Sequence, residues 1–198
     1  MIMKHILLIG SVIAIISGLW VFSSLLTSPD VHAHDEPIGS YPGCSGSSPV
    51  EWSGSNATYW RDSSWDSSYK NAISNAVSNF NTSDSTWSFQ SDEDLADVIW
   101  ADLGDLDFAI AGLSEMYVFC STNTFNWGIV YFNFPHFNHS SHTQDQKQCT
   151  GIHEMGHGVG LAHNTLTSIM QSGHSSRCHS SLIKTLQSHD SNDLNSKY

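Results

Sequence analysis

His153-Glu154-Met155-Gly156-His157-Gly158-Val159-Gly160-Leu161-Ala162-His163 is the stretch that decides the reading of this chain. It follows the pattern H-E-x-x-H-x-x-G-x-x-H. On a helix, His153 and His157 leave the same face, so both imidazoles can grip one cation. Glu154 stands beside the first of them, placed to take a proton from a water on that cation. Gly160 can adopt the left-handed conformation that ends a helix and turns the chain. The turn returns His163 as a third ligand. Three protein ligands leave one coordination position open, as a reactive metal site requires and a structural one avoids.

These residues resemble the metzincin zinc endopeptidases, and most of all the matrixins and their microbial relatives. The resemblance implies one catalytic Zn²⁺ on His153, His157 and His163, with Glu154 as general base. It also implies a methionine-containing turn beneath the metal, for which Met170, shortly after His163, is suitably placed. Asn164 stands where matrixins usually carry Ser. That departure touches the branch and not the ligand set. The implied fold is α+β: a twisted, mostly parallel sheet with one antiparallel edge strand, an active-site helix, a Met-turn and a C-terminal helix. In metzincins the edge strand receives a polypeptide substrate by backbone pairing. The apolar, small run Phe108-Ala109-Ile110-Ala111-Gly112-Leu113 lies where that strand would fall, which makes Ala109, Ile110, Ala111 and Gly112 its candidate substrate-binding residues. A buried strand is the competing reading of the same run. Pro42-Gly43-Cys44 invites comparison with the matrixin cysteine switch but lacks its flanking residues, and a structural disulfide is the reading taken.

The chain of 198 residues carries a net charge of −12 and only 7 Lys+Arg, which argues against nucleic-acid binding. Residues 6–26 contain no charge, Lys4 precedes them, and Val31-His32-Ala33 resembles a small-x-small cleavage site. Residues 1–33 therefore read as a secretory signal peptide or a membrane anchor, and either places the remainder outside the cytoplasm. Residues 34–48, rich in Gly, Ser and Pro, read as a linker or short pro-like segment. Residues 49–198 form the expected catalytic domain, a monomer that would meet a membrane only through a retained anchor. Four cysteines, Cys44, Cys120, Cys149 and Cys178, suit two disulfides in an oxidising compartment. Three connectivities are open. Cys149–Cys178 with Cys44–Cys120 is the one adopted, because it ties the metal-binding helix to the segment after it.

Ala57 to Trp60, Trp87 to Phe89, Asp97 to Trp100 and Gly128 to Phe134 read as strands. Tyr69, Ala72, Ile73, Ala76, Val77 and Phe80 recur at helical spacing behind a cap at Asp66 or Ser67. A helix over 144–158 begins at Thr143 as N-cap. Leu182, Ile183, Leu186, Leu194 and Tyr198 suggest a C-terminal helix. Asp102, Asp105 and Asp107 suit a Ca²⁺ site by chemistry but do not fit the spacing of an EF-hand loop, and a solvated turn is the preferred reading. His136, His139 and His142 offer a second metal site or a plain surface loop. The loop is preferred, since the His-x-Asp pattern of the matrixin structural zinc is missing. Asn56, Asn81 and Asn138 open glycosylation sequons. Three function classes stay open: an endopeptidase, a non-catalytic zinc-binding or adhesion protein, and a zinc hydrolase of small amides. Glu154 favours turnover, because ligation alone does not need it.

Overall fold

The structure, a computed structural model, describes residues 51–61, 63–91, 98–104, 111–119, 121–133, 136–137 and 142–198. In chain order these form β1 (Asn56–Arg61), α1 (Ser67–Thr82), β2 (Ser88–Ser91), β3 (Val98–Gly104), β4 (Gly112–Phe119), β5 (Thr124–Asn133), α2 (Gln144–Gly158), a short π-helix (Ser175–Ser180) and α3 (Ser188–Lys197). The strands make one five-stranded sheet in the order β2-β1-β3-β5-β4. β1 runs parallel to both β2 and β3, β3 runs parallel to β5, and β4 lies antiparallel on β5 at the edge. The fold is thus α+β, with the mostly parallel sheet and single antiparallel edge strand that the sequence led us to expect.

α1 forms because its six apolar residues share one face, and all six are buried. Asp66 starts it by accepting the Ser68 N–H at 2.8 Å, which satisfies one of the donors a helix start leaves open. α1 packs on α2, and α2 packs on β4 and β5. α2, which carries His153, Glu154 and His157, is therefore held between another helix and the antiparallel end of the sheet. α2 itself begins in a capping box: Gln146 N–H donates to Thr143 Oγ1 at 3.2 Å, and Thr143 N–H donates to Gln146 Oε1 at 2.8 Å.

Two boundaries differ from expectation. β5 starts at Thr124, earlier than the apolar run at Gly128 suggested. The edge strand starts at Gly112 and runs to Phe119, so Ala111 precedes it, while Ala109 and Ile110 lie outside the described residues. The reason is visible in its pattern: Gly112, Ser114 and Met116 face inward. A glycine and a serine on the buried face erase the alternation by which a half-buried strand is recognised. At the C-terminus, Leu182, Ile183 and Leu186 precede α3, and of the five residues proposed for that helix only Leu194 lies within it. Residues 1–33 and 34–48, Cys44, Cys120, Asp105, Asp107, Asn138 and His139 lie outside the described residues. Among the described residues no helix is long and apolar enough to cross a membrane.

Candidate metal centre

His153, Glu154 and His157 lie on the last turns of α2, all three buried. The helix ends at Val159, and Gly160 takes φ +83°. Leu161 N–H then reaches back to Gly156 O at 2.9 Å and Gly160 N–H to His157 O at 2.7 Å, the paired bonds of a Schellman turn. Other orphan carbonyls are taken from outside: Trp52 Nε1–H donates to Gly158 O at 2.9 Å, and Tyr198 O–H to Val159 O at 3.0 Å. The turn sets His163 beside the helix. His153 and His157 Nε2 are 3.1 Å apart, His157 and His163 Nε2 3.1 Å, and His163 and His153 Nε2 3.2 Å.

The protons can be placed. His153 Nδ1 faces Ile169 O at 2.7 Å and His157 Nδ1 faces Leu161 O at 2.8 Å. Carbonyls only accept, so each Nδ1 carries the hydrogen and each Nε2 presents a lone pair. Burial first, then Arg177 and His157, hold His153 well below the usual imidazole range, so it is neutral in water at ordinary pH. Unprotonated Nε2 atoms set this close repel one another unless a cation lies among them. Tetrahedral coordination at ~2.0–2.1 Å per bond separates ligand nitrogens by about 3.3 Å, close to the spacing seen here. The donor set fits a zinc ion.

Glu154 faces the sheet. Ser114 Oγ on β4 lies 2.8 Å from Glu154 O and 3.0 Å from its Oε2. One hydroxyl hydrogen serves both, shared or switching. Gly112 on the same strand leaves the room this needs: a Cβ there would meet Glu154 Cγ at 2.7 Å and Oε1 at 2.8 Å. Burial raises the Glu154 carboxyl to about 7, opposed by the positive charge of Arg177 and by the Ser114 hydrogen bond. Arg177 is itself buried and donates to Gln171 O through Nη1. Burial lowers it to about 10, with Glu154 pulling the other way, so it keeps its charge at neutral pH.

Below the histidines, the chain from Asn164 to Gln171 closes on itself in an isolated bridge. Asn164 N–H donates to Met170 O at 3.0 Å. The Asn164 Oδ1 accepts from Leu166 N–H and Ser168 Oγ, each at 3.0 Å, and Ser168 Oγ accepts from Met170 N–H at 3.0 Å. Asn164 thus organises the turn. Met170 is buried, and its Sδ lies 2.5 Å from where a Cβ on Gly156 would stand, beneath α2. Asp190 at the start of α3 accepts Gln187 N–H at 2.8 Å and interacts with Ser168 and with the backbone of Ile169. Cys149 in α2 is bonded to Cys178 in the π-helix across 29 residues, as the sequence reading had it.

The structure therefore brings His153, His157 and His163 together, sets Glu154 against Ala111's neighbour Gly112, and puts Met170 under the helix. Asp102 is exposed on β3. Ser114, Arg177 and Asp190 were not singled out in the sequence; Ser114 lies 40 residues from its partner Glu154, and no local pattern announces such a pair. His136 and His142 converge with His174, which the sequence reading did not connect to them. Burial first, then Arg177 and the neighbouring imidazoles, push His174 down to about 3.

No protein-family model and no curated protein matches this chain. Among solved structures, the crystal structure of myroilysin aligns over 82% of this chain and 72% of its own, at 15% identity and a TM-score of 0.38. A likeness at that level carries no weight, and the site stands on its own geometry.

Proposed function

We propose that this chain is a zinc-dependent endopeptidase of metzincin type, matrixin-like in its site, that hydrolyses peptide bonds in extracellular polypeptides. The observation that carries the reading is the convergence of the Nε2 atoms of His153, His157 and His163, with a buried carboxylate on the residue next to the first of them. A site built only to hold a metal has no use for Glu154 beside it.

When bound, Zn²⁺ would polarise the scissile carbonyl and make water a stronger acid. The chain's own residues do the rest. Glu154 takes a proton at its carboxylate as water attacks, and returns it to the leaving amine. Ser114 holds that carboxylate against β4. Carbonyls of Ile169 and Leu161 fix two imidazoles in the liganding tautomer. Met170 supports the helix from below without ligating. β4 pairs only with β5 among the described strands, and its other edge is the proposed seat for an extended substrate, with Gly112 close against Glu154 and with Ala109, Ile110 and Ala111 kept from the sequence reading as candidate contacts. The disulfide suits an exported protein, and the uncharged run over residues 6–26 is the proposed export signal or anchor.

Glu154→Gln tests this. It keeps the shape and removes the base. The variant is expected to bind zinc and fold as the wild type does, and to cleave a denatured protein about 10²–10⁴-fold more slowly. Equal cleavage by both forms would remove Glu154 from the role of base. A zinc-loaded wild type, free of any pro-segment, that cuts no polypeptide would leave the non-catalytic binding class in its place.

A further inference from the structure

A second group of imidazoles lies apart from the first. His136 follows β5, His142 precedes the cap of α2, and His174 follows the Met170 turn. Each offers one ring nitrogen, and these three atoms lie within 4.8 Å of one another. The ring centroids of His136 and His142 are 4.7 Å apart, of His136 and His174 5.3 Å, and of His142 and His174 6.0 Å. At the first site the corresponding separations are 4.6, 4.6 and 5.1 Å. The second group is the looser, and side-chain rotation must draw its nitrogens in on loading.

Its surroundings have the features of a built site. Phe137, buried, packs its ring against all three imidazoles. His174 Nε2 lies 3.1 Å from Thr150 Oγ1, whose hydroxyl can donate to Gln146 O at 3.2 Å. With the hydroxyl so turned, His174 Nε2–H is the donor and Nδ1 holds the lone pair a metal needs, an arrangement common around ligating histidines. His179 stands close to His142 and His174 but is excluded by the same bookkeeping. The Gln146 Oε1 is taken by Thr143 N–H, so Gln146 Nε2–H donates to His179 Nδ1 at 3.0 Å.

We propose that His136, His142 and His174 form a second zinc site, which clamps the segment after the Met170 turn to the start of the active-site helix. Three imidazoles and no thiolate suit a borderline divalent cation, and zinc is the one we assign. The clamp joins the same two parts of the chain as Cys149–Cys178. Its ligands come from three separate segments, so it forms only in the folded protein, and its occupancy stabilises the fold by mass action.

The test is zinc stoichiometry on the full, oxidised chain. The protein is stripped with a chelator, dialysed against micromolar free zinc, and analysed for bound metal. Wild type is expected to bind two ions, His174→Ala one, His163→Ala one, and the double variant none. His179→Ala is expected to bind two, which separates a defined three-ligand site from a sticky histidine-rich surface. His136→Ala gives the same reading as His174→Ala should the latter fail to fold. Saturation of wild type at one ion overturns the proposal. So does a folded His174→Ala or His136→Ala that still binds two.

Discussion

At the scale of single residues, the proposed base, Glu154, is positioned by Ser114, which lies outside the proposed ligand set. Ser114 Oγ lies 3.0 Å from Glu154 Oε2, and donation to a carboxylate favours its charged form. Removing that donor raises the Glu154 pKa, because the Ser114 bond is among the influences that lower it. Glu154 works only when deprotonated, so in Ser114→Ala the acid limb of kcat/KM moves to higher pH relative to wild type. A loss of roughly ten- to a hundredfold at neutral pH follows, from about 1.5–3 kcal/mol for a hydrogen bond to a charged group, while zinc content is unchanged. Ser114→Thr, which restores the hydroxyl, should recover the limb. A pH profile for Ser114→Ala that overlays wild type would show that the serine only fills space. The candidate ligands and the candidate base were legible as a cluster because one helical turn and one left-handed glycine bring them together within eleven residues. Ser114 was not, since its partner is 40 residues away, and its polar side chain on the buried face hid the strand that carries it.

At the scale of elements, the end of α2 is where ligand geometry is decided. Gly160 at φ +83° makes both Schellman bonds possible. An L-residue there costs about 1–2 kcal/mol in backbone strain. A Cβ would also meet Lys197 Cε at 3.0 Å and Phe125 Cε2 at 3.2 Å. Gly160→Ala should therefore lower Tm by several degrees, roughly 2–4 °C per kcal/mol for a domain of this size. It should also weaken zinc binding, because the turn delivers His163. Unchanged Tm and unchanged zinc affinity would show that the turn tolerates either backbone. Met170→Leu is the contrasting case. It nearly conserves volume, a class of change that usually costs under about 1.5 kcal/mol, so it should keep its zinc and lose modest stability. Complete loss of zinc with the fold intact would give Met170 a more direct role. α1 and α2 were readable in advance because Asp66 and Thr143 are local cap residues ahead of them, whereas α3 was misplaced, since only Leu194 of its expected residues lies within it. The turn beneath was readable only as a position for Met170. The hold of Asn164 on Leu166 and Ser168 needs the loop already closed.

At the scale of the whole molecule, the site joins two unequal halves. On one side, α1, α2 and the sheet enclose a continuous apolar core with Phe80, Phe132, Ile99 and Ile152 fully buried. On the other, residues 159–173 contain no helix or sheet strand, only turns and the Asn164–Gln171 bridge. That second half is held by His163 at the candidate metal centre, by His153 Nδ1–H donating to Ile169 O, by Asp190 and by the Cys149–Cys178 bond. Closing a loop of this length by a disulfide contributes on the order of 3–4 kcal/mol, and the proposed metal would supply a further tie that a chelator can remove. The end of α2 has independent support from Trp52 and Tyr198. Chelation should then act unevenly. Amide hydrogen exchange over residues 161–174 is expected to rise strongly in the metal-free protein, because segments with few buried contacts open first. The sheet and α2 are expected to stay protected, and readdition of zinc is expected to restore the slow exchange. His163→Ala should show the fast pattern even with zinc present. Uniform loss of protection on chelation would mean that metal binding and folding of the entire domain are one event, and no change at all would mean that the turn holds its shape without the ion.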